Sequence, residues 1–423
     1  MTKSFIRAAF TAALLATAAA TTMTATAAIA ADTKAADTNK VGAAVGKPLV
    51  VAQKALQTND YQTALTAVQE AQAVPDQTPY ETYVINKFLS VIYIDLKDYP
   101  KATATAEAAA DSPAMPDEDR HDIVHNALVL AAQANQYQKV LTYGQQLEKI
   151  NALDDTTLTM VAVAYYSQKD ETNAQKYAQM ALDAAKAGGK KPPQNALIII
   201  GNIQGKTNPE AARKSLEQLV LSGGDLGDWN RLVNDAVGEK GLSNFDALNL
   251  YRLLYLQGAM QSADDYNFMG SLAESQREST EAVKVFEAGV NAGKISAGDA
   301  NAKMGKARSE AAADEKILSS VIVAARNGKR GEDDMQVAQD LWGYGRYAEV
   351  ESLSRDAQAK GGAKDPGEIV VLLGMAQAAQ GNYAAAQATL AQVTGSPGRM
   401  RTAHLWSLYA QSKQQGAATP AAH

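Results

Sequence analysis

One arrangement of polar and apolar positions recurs along this chain of 423 residues: a polar turn, a tyrosine, two variable residues, and a small or branched apolar residue. The first three such tyrosines are 38 residues apart, and the last two are 36 residues apart. The interval between the two groups is 210 residues, which is six steps averaging 35. A period of roughly 20 to 50 residues indicates a repeat architecture in which each unit packs on its neighbours. The five occurrences are Tyr61 with Ala64, Tyr99 with Ala102, Tyr137 with Val140, Tyr347 with Val350, and Tyr383 with Ala386.

The same register continues where the tyrosine is absent. A small residue still follows three positions later, where it would let the two helices of a unit approach closely. Clusters of proline and glycine fall between the units and not inside them. One further, degenerate unit is expected near residues 311–316. The tyrosine position is held by Glu171, Asn208, Asn244 and Ser279, and the small residues are Ala174, Ala211, Ala247 and Ala282.

Two stretches carry a more specific motif. Tyr266-x2-Met269-Gly270-x2-Ala273 followed by Ala282-x3-Phe286 resembles the tetratricopeptide (TPR) signature W-x2-L-G-x2-Y…A-x3-F, although tryptophan is missing from most first helices. Leu373-Gly374, followed by Tyr383, Ala386 and Leu390, repeats it. The resemblance implies an all-α chain, an α-solenoid of about ten TPR-like helix-turn-helix repeats over residues 47–415. A last helix around Trp406 and Tyr409 with a polar far side is expected to be its C-terminal capping helix.

The N-terminus has the three parts of a secretory signal peptide. Lys3 and Arg7 precede an uncharged stretch, and Ala28-Ile29-Ala30 provides a small-residue cleavage site. We therefore predict a signal peptide over residues 1–30 and a periplasmic mature protein. The alternative is an uncleaved anchor over residues 8–30, but its many threonines would weaken insertion. Residues 31–46 and 416–423 are predicted to be disordered.

Charge and cysteine content exclude several classes of protein. The formal net charge is −6, and loss of Lys3 and Arg7 with the leader would make it more negative, so we expect no nucleic-acid partner. The chain has no cysteine, which excludes disulfides, thiolate metal sites and lipid attachment at an N-terminal cysteine. After the leader, no apolar stretch approaches about 18 residues, so no membrane span is expected in the mature chain.

Two stretches imitate sites of known chemistry. Gly201 and Gly205-Lys206-Thr207 resemble a phosphate-binding loop, but only three residues separate the glycines where four are needed to encircle phosphates. His121 and His125 stand one helical turn apart and could chelate a metal, but no third ligand is defined. We therefore expect no catalytic residues, no metal and no cofactor.

The resemblance also indicates where a partner would bind. In TPR arrays the first helices line a concave groove that holds ligands, so the residues after the Gly/Ala position of each first helix are candidates. They predict a groove that is apolar in its first half and acidic in its second. The alternative is that neighbouring repeats bury the apolar stripe themselves. The candidates are Val91, Ile94, His125, Val129, Val163, Tyr166, Ile200, Ile203, Glu239 and Glu274.

These observations favour a scaffold or adaptor that binds a protein partner of the cell envelope through the groove. A solute- or glycan-binding solenoid is the alternative, although Tyr166, Trp229, Trp342 and Trp406 look too dispersed along the sequence to form one stacking face. An enzyme is a further alternative, which a convergent set of acids with shifted pKa values in one pocket would favour.

Overall fold

A computed structural model describes residues 39–418, and every regular element among them is a helix. The predicted signal peptide, residues 31–38 and residues 419–423 lie outside the described residues. The described chain forms two compact units, which divide after Ile203. The prediction of an all-α array of TPR-like helical hairpins is confirmed.

Unit 1 consists of antiparallel hairpins in which a first helix is followed by a second helix packed against it. Its helices are α1 (Ala43–Gln57), α2 (Tyr61–Gln72), α3 (Pro79–Asp95), α4 (Tyr99–Ala110), α5 (Asp117–Gln133), α6 (Tyr137–Lys149), α7 (Asp155–Ser167), α8 (Glu171–Ala187) and α9 (Gln194–Gln204).

Unit 2 continues the alternation of first and second helices, interrupted by one long helix, α15. Its helices are α10 (Pro209–Leu221), α11 (Leu226–Val237), α12 (Asn244–Gln257), α13 (Ala263–Ser275), α14 (Ser279–Asn291), α15 (Ala297–Asn327), α16 (Gly331–Gly343), α17 (Tyr347–Lys360), α18 (Pro366–Ala379), α19 (Tyr383–Leu390) and α20 (Pro397–Ala418).

The recurrent turn ends one helix and begins the next. Asn59 lies in the left-handed region at φ 58°, and the next backbone N–H, of Asp60, donates to the carbonyl of Ala55 at 2.8 Å. This bond closes the first helix in the manner of a Schellman motif. The Asp60 side chain then accepts from the backbone N–H of Thr63 and caps the second helix. Lys97 with Asp98 and Lys169 with Asp170 repeat this arrangement, and Gly345 and Gly381 hold the left-handed position later in the chain.

The small residues of the TPR-like motif lie where the two helices of a hairpin touch. A Cβ added to Gly270 of α13 would lie 2.5 Å from Cζ of Phe286 in α14. Gly374 of α18 meets Leu390 of α19 in the same way, also at 2.5 Å. Real Cβ atoms do not approach other atoms this closely. The glycine of the motif therefore allows the first helix to pack directly on the second helix.

Three boundaries differ from the sequence-based expectations. Helix α1 begins at Ala43 and buries Val45, so residues 43–46 belong to the array and not to a disordered segment. Helix α20 extends to Ala418, into the segment predicted to be a disordered tail. The degenerate unit near residues 311–316 is the middle of α15, a single helix of 31 residues. Arg308 of α15 contacts Glu287 of α14, whereas Lys360 of α17 donates to the carbonyl of Ala325 near its other end.

The last helix of unit 2 does more than cap the stack. Helix α20 packs on α18 and α19, but also on α10, α11 and α12 from the beginning of the unit. Arg399 donates to Asp246 of α12 at 2.6 Å, with both side chains buried, and the Trp406 indole donates to the carbonyl of Asn249 at 2.9 Å. Its C-terminal end, including Lys413, is exposed as expected. Helix α20 therefore closes unit 2 instead of ending an open stack.

Candidate binding face of the first helices

The first helices of unit 1 stand next to one another and are linked by polar side chains. The Tyr83 hydroxyl of α3 donates to Asp119 of α5 at 2.6 Å, and Lys87 forms an ion pair with the same carboxylate at 2.8 Å. Between α7 and α9, the Asn202 amide donates to the Tyr166 hydroxyl at 3.4 Å. We call the apolar residues predicted on α3, α5, α7 and α9 the first-helix face.

The deeper row of the first-helix face is buried. Val91, Val129 and Ile200 are 7%, 9% and 5% exposed, respectively. At these three positions the alternative interpretation applies, in which the protein itself buries the apolar stripe. They contribute to packing and offer little surface to a partner.

The shallower row is half-buried. Ile94, Val163, Tyr166 and Ile203 all pack against the main apolar core of unit 1, but each keeps part of its surface exposed. These four side chains come from three different helices of the face, namely α3, α7 and α9. The shallower row is the part of the first-helix face that a ligand can reach.

His125 borders the face on α5 and is half-buried. Burial raises the pKa of the nearby Asp154 carboxyl, but hydrogen bonds from Thr157 and the charges of His125 and Lys190 outweigh it and keep that pKa below its ordinary value. The His121 ring stacks on His125 at 6.0 Å, and its Nδ1 lies 2.7 Å from Asp122. Within residues 39–418, no group of three His, Cys, Asp or Glu side chains could hold a metal ion.

The two acidic candidates, Glu239 and Glu274, belong to unit 2, and each lies near basic side chains. Glu239 pairs with Arg213 at 2.7 Å and lies 3.6 Å from Arg401 of α20. Burial and the charge of Glu310 raise the pKa of Glu274, whereas Lys306 and Lys303 of α15 oppose them. Both carboxylates thus face basic side chains of this chain, which reduces their attraction for a basic partner.

The tryptophans are not dispersed in the structure. Trp229, Trp342 and Trp406 are all buried in unit 2. The Trp342 and Trp406 rings pack edge-to-face at 5.8 Å, and Trp229 packs against Tyr409 at 6.4 Å. Helix α20 brings them together, a contact that the local repeat pattern could not reveal. In these positions they offer no stacking surface to a sugar.

Sequence reasoning also missed a carboxylate cluster in unit 2. Glu278, Asp314 and Asp340 line a small cavity, together with the hydroxyl-bearing Tyr344. The three acids lie in or next to three different helices, so neither spacing nor a local motif could have grouped them.

No helix among residues 39–418 combines the length and the apolar character needed to cross a bilayer.

No protein-family model matches the chain, and no curated protein matches it in sequence. Solved structures share its helical character at low similarity. The chain is 13% identical to the apo form of RapI, with 75% of this chain and 98% of that chain covered and a TM-score of 0.29. It is 13% identical to a chain of Naa15/Naa10 bound to HypK-THB, with 88% and 73% covered and a TM-score of 0.35. Yeast Tom70 is 10% identical, with 89% and 97% covered and a TM-score of 0.23.

TM-scores this low bear on neither the site nor the function. The class of protein therefore rests on the chain's own helices: an array of TPR-like helical hairpins with small residues at the hairpin contacts.

Proposed function

We propose that this protein is a protein-protein interaction scaffold that binds a partner through the shallower row of the first-helix face in unit 1. The observation that supports this proposal is the half-buried exposure of Ile94, Val163, Tyr166 and Ile203. Contiguous apolar surface that stays exposed on a folded protein commonly marks an interaction site, and partly exposed apolar side chains on the first helices are the candidates for one here. Tyr166 supplies the kind of aromatic anchor, with a polar tip, that contributes most to such interfaces.

The partner is expected to present apolar side chains along a helix or an extended segment. The long hydrogen bond of 3.4 Å between the Asn202 amide and the half-buried Tyr166 hydroxyl can be exchanged for one to such a segment. A solute- or glycan-binding role is less well supported, because the three tryptophans are buried in unit 2.

The proposal includes no catalytic role. The carboxylate cluster of unit 2 is the convergent set of acids that would favour an enzyme, but its cavity has a volume of about 60 Å³. Small-molecule sites typically enclose roughly 300–1,000 Å³. A cavity of this size holds water but does not enclose an organic substrate.

Photo-crosslinking in cells tests the binding face. A photoreactive amino acid replaces Tyr166 in one variant and Tyr99 in another; Tyr99 is an exposed tyrosine at the start of the second helix α4. We expect a specific protein to be captured from position 166 and not from position 99, and mass spectrometry identifies it. Capture only from position 99 would move the site away from the first helices.

Substitution then measures the contribution of the anchor. Tyr166→Lys should weaken affinity for the captured protein by about 1–3 kcal/mol with little change in thermal stability. Tyr99→Lys should leave the affinity unchanged. Val129→Lys serves as a contrast, because a lysine in that buried position should unfold the unit. Unchanged affinity of a folded Tyr166→Lys variant would contradict the proposal.

We propose further that the scaffold works in the periplasm, on the basis of the leader predicted over residues 1–30. The intact mass of the protein isolated from the cell envelope should correspond to a chain beginning near Ala31. A mass that includes the first 30 residues would support the anchored alternative.

A further inference from the structure

A pair of carboxyl groups, one buried and one half-buried, joins two helices of unit 2. Glu278 immediately precedes α14 and is only 6% exposed, and it shares a hydrogen bond with Asp340 of α16. Two carboxylates cannot hydrogen-bond to each other unless one of them carries a proton. The contact between α14 and α16 at this point therefore depends on a single proton.

The cavity beside the pair lies against the long helix. Leu318 and Val321 of α15 form its apolar wall, and Asp314 brings a third carboxylate to it. The Tyr344 hydroxyl on the other side is buried and has no hydrogen-bond partner among residues 39–418. Asp314 and Ile317 of the lining are exposed, so water can reach this polar wall.

The cations around the pair do not balance its acids. Arg252 of α12 is the buried cation that faces it, but its guanidinium is bound to Glu281 by contacts of 2.6–3.1 Å. Lys284 of α14 donates to the carbonyl of Gly343 and lies over the Tyr344 ring. The remaining charged or titratable groups around the cluster are Arg277 before α14, Asp314 of α15, Tyr344 after α16 and Tyr347 of α17.

Burial is the main reason that the pair holds its proton. It raises the pKa of Glu278 well above its ordinary value of 4.5, and Arg252 opposes this. Burial and the charge of Asp314 raise the pKa of Asp340 from an ordinary 3.8 to about 6. The pair therefore binds its proton in acid and loses it at a pH above the ordinary range of carboxyl groups.

We propose that the Glu278–Asp340 pair is a proton-dependent latch that holds α14 and α16 together and loosens their packing against α15 when the proton leaves. The folded state binds more protons than the unfolded state across the interval between the ordinary and the raised pKa values. Its stability therefore decreases with rising pH in that interval, which runs from about 4 to beyond 6. The latch is closed in acid and loosened at higher pH.

Hydrogen exchange followed by mass spectrometry tests the latch in the full-length protein. The probe is the protection of amides in residues 308–325 of α15, relative to amides of α18 in the same sample. Both helices belong to unit 2, and the ratio removes the intrinsic dependence of exchange on pH. We expect the ratio to fall about 10- to 100-fold between pH 5 and pH 8, since one pKa unit corresponds to a tenfold change. A ratio that stays constant in the wild-type protein would overturn the proposal.

Two variants assign the effect to the pair. Asp340→Asn keeps a hydrogen-bond donor towards Glu278 but has no proton to lose, so most of the pH dependence should disappear. Glu278→Gln should act in the same way and decides the matter if the first variant does not fold. The matched control is Asp333→Asn on the same helix, whose carboxylate pairs with the exposed Arg330 outside the cavity. Retained pH dependence in both pair variants, or its loss in the control, would contradict the latch.

Discussion

Glycine inside a helix normally weakens it, yet Gly270 and Gly374 lie in the middle of α13 and α18. The Phe286 ring and the Leu390 side chain occupy the space where a Cβ would be. The close approach of the two helices therefore outweighs the lower helix propensity. At the residue scale, the glycine of the TPR-like motif is there because it allows the two helix axes of a hairpin to come close together.

Substitution of these glycines should separate packing from propensity. Gly270→Ala should lower the free energy of unfolding by about 1–3 kcal/mol, because its methyl group overlaps the Phe286 ring. Gly305→Ala is the matched control: this glycine lies within α15, and a Cβ there would meet nothing within 4 Å. The control should be stabilised by about 0.5–1 kcal/mol. Urea unfolding followed by tryptophan fluorescence measures both, since all three tryptophans are in unit 2; the same sign for both changes would contradict this account.

The candidate site could be predicted only in part at this scale. The repeat register placed Val91, Val129, Tyr166 and Ile203 correctly on first helices. It could not separate the buried row from the half-buried row, because positions three residues apart share one helix face. Their depth depends on the angle between neighbouring helices, which no local pattern records.

At the scale of the element, the helical hairpins follow directly from short-range signals. Left-handed turn residues, capping aspartates and small contact residues lie within a few positions of one another, so the sequence pattern reveals them. The long helix α15 shows the limit. Residues 306–316 contain no proline or glycine and are rich in Ala, Lys and Glu, so nothing stops the helix where the period calls for a turn.

The closure of unit 2 by α20 leads to a prediction about one ion pair. Arg399→Ala leaves the buried Asp246 carboxylate without its cation and should cost roughly 3–5 kcal/mol of stability. The matched control is Arg355→Ala in α17, which removes an exposed pair with Glu351 and should cost less than about 1 kcal/mol. Thermal unfolding followed by tryptophan fluorescence reports both. Similar losses in the two variants would show that α20 is only a terminal cap.

At the scale of the whole molecule, sequence reasoning was sound where contacts are local and failed where they are distant. Unit 1 holds its helices by contacts between near neighbours in the chain, so its hairpins were predictable from the period alone. In unit 2, Arg399 and Trp406 meet residues 153 and 157 positions earlier. The same long-range contacts gather the tryptophans, which looked scattered along the sequence.

Because α20 packs back on the first helices of unit 2, the number of hairpins in this unit is fixed. In an array held only by neighbour contacts, a hairpin can be duplicated or lost and the remaining units still fit together. In unit 2, one hairpin more or fewer between α12 and α18 would carry Arg399 away from Asp246 and Trp406 away from Asn249. Repeat proteins ordinarily grow by a change in repeat number. Unit 2 cannot change in this way while its last helix has to pack on its first helices.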